Sequence, residues 1–138
     1  SFNNKPVKKR ADIFLCISRL NSNFAASKEM IIYNSIFPFG RDYLAINLCG
    51  VVFTKTPLTQ RALRHERIHT EQQREMLFVG FFLWYAVEWI VRLIMYRNAH
   101  RAYRNISFER EAYHYQHVKD YCKHRRHYAW RRFLIHNA

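Results

Sequence analysis

The stretch LTQRALRHERIHTEQQREMLF, Leu58 to Phe78, contains neither glycine nor proline, and Thr56-Pro57 just before it reads as an N-cap with proline at the first helical position. It is predicted to be one helix. At its centre stands His65-Glu66-Arg67-Ile68-His69. Residues four apart on a helix stack on one face, so both imidazoles can address a single divalent ion while Glu66 stands beside them. Two neutral histidine nitrogens and one further protein ligand leave a position open for water, whose proton an adjacent glutamate can accept. The bland alternative is a solvated polar helix face. A third ligand decides between the two, and it does not come at the spacing of a third histidine, because the residue six beyond His69 is Glu75.

Downstream, Met76 to Tyr96 carries only Glu88 and Arg92 as charges. As one helix it would reach about 31 Å, close to the thickness of a bilayer core. Three observations weigh against a crossing. A single span would leave both histidines on one side and all later acidic residues on the other. Arg67 and Arg74 before the run and Arg97 and Arg101 after it give no inside–outside asymmetry. Glu88 and Arg92 are spaced i, i+4 in the favourable order for a helix in or on a protein. A buried or membrane-peripheral helix is therefore expected. An unbroken helix from His69 to Tyr96 would carry the chain about 40 Å away from the histidines, so a break is required, and Gly80 is the predicted turn. The second helix then runs back along the first, Asn98–Asn105 connects, Ser107 caps a third helix to about Cys122, and residues 124–134 form a short C-terminal helix.

Upstream, the β-prone Ile31-Ile32-Tyr33 and the β-branched and aromatic Tyr43–Thr54 predict strands near 31–36 and 43–54. In the second, Ile46, Leu48 and Val52 share a face with Gly50, and Asn47, Cys49, Val51 and Phe53 share the other. The expected class is α+β, mostly helical: a short β-hairpin or small sheet at about 31–54, the histidine helix, a return helix, a third helix and a short C-terminal one. Residues 30–138 make a single domain. Residues 1–29 read as a basic peripheral arm with one helical turn around Ala11–Leu20; Ile13–Ile17 mimics the start of a signal peptide, but Arg19 ends that run early.

A chain of 138 residues that is 49% hydrophobic and 17% aromatic is not a disordered one. A net charge of +13 suits nucleic acid, an anionic membrane surface or acidic substrates, and selects none of them. Cys16, Cys49 and Cys122 lie far apart with no C-x-x-C, which argues against a disulfide framework and a cysteine zinc site and for a cytoplasmic location, with peripheral membrane association left open.

Ile106-Ser107-Phe108-Glu109-Arg110-Glu111-Ala112-Tyr113 offers the third ligand. Together with H-E-x-x-H, this stretch resembles the gluzincin zinc metallopeptidases, whose second helix carries E-x-x-A or E-x-x-x-D with a zinc-binding first glutamate. The pair of motifs, H-E-x-x-H-x-x-x-Q and F-E-x-E-A-Y, is also similar to a group of small bacterial metallopeptidase-like proteins over roughly Met30 to Leu134. The resemblance implies Zn2+ held by His65, His69 and Glu109, Glu66 as general base, and a peptide or protein substrate. Tyr113 departs from it, standing where many gluzincins have an aspartate that orients a zinc histidine. Glu111 is the rival ligand, about 200° around the helix from Glu109, so only one of the two can face the metal. For both, a charged first helical turn is the bland reading.

Gln73 shares the face of His69 and is expected to bond a ligand or line the cleft, with Gln72 and Glu75 outside. The strand Asn47–Phe53 is read either as core or as the edge along which gluzincins bind peptide main chain. His114 with His117 and His124 with His127 are expected to be surface histidines, and the run Lys123-His124-Arg125-Arg126 with Arg131-Arg132 a solvated face or a phosphate-contacting one. Two rival readings stand beside the hydrolase: a non-catalytic basic module on anionic membranes, and a nucleic-acid binder, which no fold signature supports.

Overall fold

The fold is built on a polar joint between a small sheet and the histidine helix, seen in a computed structural model that describes residues 30–33 and 45–135. Strands β1 (Met30–Tyr33), β2 (Ala45–Leu48) and β3 (Val51–Thr54) form a sheet in the order β1-β3-β2, with β1 parallel and β2 antiparallel to β3. The expected single strand over 43–54 is thus a hairpin. Leu48 pairs with Val51 across a two-residue turn in which Cys49 and Gly50 both take positive φ, 55° and 80°. That is the backbone twist favoured between antiparallel strands, and Gly50 adopts it without steric cost. The reversal puts Asn47, Val52 and Thr54 on the buried face. The arm 1–29, and the parts of the predicted strands at 34–36 and 43–44, lie outside the described residues.

Helix α1 (Gln60–Glu75) starts three residues later than Thr56 suggested, because Thr54 and Thr56 are tied in a local turn, with Thr54 Oγ1 donating to the Thr56 carbonyl at 2.7 Å. Thr59 is the cap, its hydroxyl accepting from the Ala62 N–H. One stripe of α1 carries His65, His69 and Gln72; the next carries Glu66, Thr70 and Gln73. The second stripe holds the sheet. Asn47 Nδ2 donates to the Glu66 carbonyl at 2.7 Å and to Thr70 Oγ1 at 2.8 Å, while Gln73 accepts from the Cys49 N–H and donates to the Asn47 carbonyl.

The break predicted at Gly80 falls at Met76–Phe78. Leu77 and Phe78 both take positive φ, and the Phe78 N–H donates to the Gln73 carbonyl at 2.7 Å. Gly80 already lies in the first turn of α2 (Val79–Tyr96), which Arg97 ends in a left-handed cap. Among the described residues α2 is the one helix long and apolar enough to cross a membrane by length and composition. The expected connection Asn98–Asn105 is itself helical, α3 (Ala99–Arg104), capped by the Asn98 side chain.

Helix α4 (Ser107–Tyr115) is shorter than expected, and α5 (Tyr121–His124) follows a turn with Asp120 at positive φ. Ser107 is the first residue of α4 and not its cap: its N–H and hydroxyl both donate to the Glu88 carboxylate of α2 at 2.9 and 2.5 Å. The C-terminal segment is a 3-10 helix, Ala129–Phe133. Phe81, Ile106, Phe108 and Trp130 make the aromatic core between α2, α4 and this segment. Full burial of such a side chain contributes about 1.5–3 kcal/mol, so the core's main work is to press α4 against α2.

Candidate metal centre

Helix α1 presents His65 and His69, and α4, pressed against it, presents Glu109. The two Nε2 atoms lie 3.1 Å apart; His65 Nε2 is 3.3 Å from Glu109 Oε2 and His69 Nε2 is 3.4 Å from Glu109 Oε1. All three residues are buried, and together they form a group that could hold a metal ion. A tetrahedral ion with ligand bonds of 2.0–2.1 Å needs donor atoms about 3.3 Å apart, close to the spacing found. Glu109 Oε2 is enclosed and receives no hydrogen bond. Such an oxygen costs about 1–3 kcal/mol or more, a cost that a cation among these three donors removes.

The tautomer of His69 is set from behind. Its Nδ1 is 2.8 Å from Gln72 Oε1, while Gln72 Nε2 donates to the Phe108 carbonyl and to Glu111 Oε2, both of which can only accept. The amide is thereby oriented, so Nδ1 carries the proton and Nε2 offers its lone pair inward. Glu111 in turn accepts from Tyr121 and Arg125, and Arg125 also pairs with Glu75.

The structure therefore separates the two candidate glutamates: Glu109 faces the histidines, and Glu111 stands behind Gln72 in a buried ionic network. Gln72, expected outside, instead supports His69, while Gln73 lines the cleft as expected and also clamps the hairpin. Arg125 and Glu75 are internal partners and not part of a solvated face. Tyr113 lies edge-on to His65 with ring centroids 4.6 Å apart. His114, His117, His124 and His127 are exposed, and among the described residues they join no metal-holding group.

With only protons to share, the cluster is strongly coupled. Burial alone would depress His69, but the adjacent Glu109 carboxylate outweighs it and pushes the imidazole up to about 9. Burial would likewise raise Glu109, but the His69 and His65 rings hold it well below the usual carboxylate range.

A cleft of about 430 Å³ opens over the cluster. Glu66 lines it beside the two histidines; Ala45, Ile46 and Asn47 of β2 form one wall, and Phe82, Tyr85 and Trp89 of α2 another. Two tyrosines were not singled out by the sequence. Tyr85 donates to Glu109 Oε1 at 3.0 Å, and Tyr103, hydrogen-bonded to Tyr113, is pushed up by burial and by Glu109, so it remains a proton donor at any ordinary pH. The signal for Tyr85 was its place one turn beyond Phe81 on the core side of α2. Comparison with known protein families, characterised proteins and solved structures finds no match to this chain.

Proposed function

We propose that the chain is a zinc-dependent hydrolase, a small metallopeptidase of gluzincin type. The observation that carries this reading is the meeting of His65, His69 and Glu109 on the floor of a cleft that Glu66 also lines. A bound zinc would supply Lewis acidity and a water acidified to near neutrality. Each remaining task falls to a side chain already in place. Glu66 takes the proton from the attacking water and passes it to the leaving amine. Tyr103 lines the cleft and keeps its proton, and its hydroxyl, turned from Tyr113 to the substrate, would donate where charge develops on the scissile carbonyl oxygen. Strand β2 lies at a sheet edge among the described residues, and an extended peptide added there would run past the histidines with main-chain hydrogen bonds.

The nucleic-acid alternative loses its main support, because Arg125, the centre of the basic run, is spent on Glu75 and Glu111. The test compares wild type with Glu66→Gln in zinc content and in cleavage of a quenched-fluorescent peptide library. About one zinc per chain in both proteins, with turnover falling by roughly 10²–10⁴ in the variant, is expected. Equal turnover, or no tightly held metal in wild type, would overturn the proposal.

A further inference from the structure

Helix α2 is inside out. Its buried face carries Phe81 with Glu88 and Arg92, and the opposite face, at helical spacing, carries Val79, Leu83, Val87, Ile90 and Ile94. Leu83 is 64% exposed and Ile94 71%. An ordinary surface helix has the reverse arrangement, apolar inward and charged outward. Single exposed apolar residues are unremarkable, but a continuous stripe along a whole helix marks a binding surface.

Charge identifies what covers it. Glu66, Glu88, Glu109 and Glu111 are buried, Glu75 pairs with Arg125, and Glu71 and Asp120 each pair with a neighbouring base. Every acid among the described residues is thus internal or neutralised, while Arg97, Arg101, Arg131 and Arg132 are exposed. The arginines stand at two places around the stripe: Arg97 and Arg101 beyond its C-terminal end, and Arg131 and Arg132 next to Trp130, whose ring meets Trp84 of α2 at 5.8 Å between centroids. Two copies of a chain with net charge +13 repel one another, whereas an anionic bilayer attracts both the arginines and the apolar stripe.

We propose that the outer face of α2 docks on an anionic lipid bilayer, with the helix lying in the interface plane. A crossing is disfavoured by the other face. Glu88 holds Ser107 at the start of α4, Arg92 donates to the Leu134 carbonyl at 2.8 Å, and Tyr85 holds Glu109, so α2 is fastened along its length to the polar body of the domain. That body would have to enter the hydrocarbon with it. The inference does not depend on the metal centre.

The experiment is flotation of the full chain with phosphatidylcholine vesicles, with and without phosphatidylglycerol, for wild type, Leu83→Asp/Ile94→Asp and Arg97→Glu/Arg101→Glu. Circular dichroism melting confirms that the variants fold. Flotation that requires phosphatidylglycerol, falls with salt and drops by on the order of tenfold or more in each variant is expected. Wild type that stays in the soluble fraction, or variants that float equally well, would overturn the proposal. So would a concentration-dependent dimer abolished by Leu83→Asp/Ile94→Asp without flotation, which assigns the face to a second copy. Vesicle-bound chain that resists alkaline carbonate extraction would overturn the interfacial geometry in favour of a span.

Discussion

Helices α1 and α2, joined at the turn Met76–Phe78, solve opposite problems. Helix α1 buries polar side chains, His65, Glu66, His69, Thr70, Gln72 and Gln73, and turns Arg61, Arg67 and Arg74 to solvent. Helix α2 also buries a charged pair, but leaves its aliphatic residues outside. The contrast teaches that burial in this protein follows from hydrogen-bond partners as much as from hydrophobicity. His65, His69, Thr70, Gln72 and Gln73 each have a named side-chain partner across an interface, Glu66 is bonded there through its main-chain carbonyl, and Glu88 and Arg92 are inside because Ser107 and the Leu134 carbonyl complete them. The aliphatic stripe of α2 has no such partner on the chain among the described residues.

The network behind α1 offers the largest test of this view. Arg125→Ala leaves the Glu75 and Glu111 carboxylates facing one another without their shared cation, and breaking a buried pair of this kind costs about 3–5 kcal/mol. Urea denaturation should show that loss, and a change below about 1 kcal/mol would mean the network is solvated and α1 less enclosed than described. A sharper test pairs the two helices. Ile68→Ala, in the polar helix, removes a side chain that is 1% exposed and is expected to cost about 2–5 kcal/mol. Leu83→Ala, in the apolar helix, is expected to stay within about 0.5 kcal/mol. Similar costs at both positions would erase the distinction between them.

A further test is the dependence on pH of the metal-free chain. His69 is raised from 6.5 to about 9, so its protonated form contributes stability that is fully present below about 6.5 and is lost as pH rises through 9. If the cluster holds zinc as proposed, zinc affinity runs the other way, increasing over the same window because the ion displaces that proton. Melting temperature with a chelator, and zinc affinity by dye competition, read the two trends. Metal-free stability that rises from pH 6.5 to 9 would mean that Glu109 is not the partner of His69.

Much of the site was legible because a group of side chains able to hold a metal imposes spacing. The i, i+4 histidines and the glutamate of a second helix are constraints that survive in one dimension, as does the need for a chain reversal between them. What was not legible depended on which of two similar residues met a distant partner. Gln72 and Gln73 are neighbours in sequence, and only the positions of Glu111 and Cys49 assign one to His69 and the other to the hairpin. The hairpin itself was hidden because Cys49-Gly50 carries only one residue that favours positive φ, the other being held by a bond from α1. The turn at Leu77-Phe78 was misplaced to Gly80 for the same reason, since no residue there prefers the left-handed region. Arg125 read as part of a solvated run until Glu75 and Glu111 came into view.

The bond between Glu88 and the start of α4 gives that carboxylate a role as a hinge pin. Ser107 and Glu109 occupy a single turn of α4, and α2 grips both, through Glu88 and Tyr85. The glutamate corner of the cluster is therefore carried by the helix with the bare outer face, while the two histidine corners are carried by the helix that holds the sheet. Rolling α2 about its axis would swing Glu109 relative to His65 and would reach His69 too, through the Phe81 ring beside it and through Gln72, which α4 holds at Phe108 and Glu111, so what rests on the outside of α2 would have mechanical leverage over the width of the cradle.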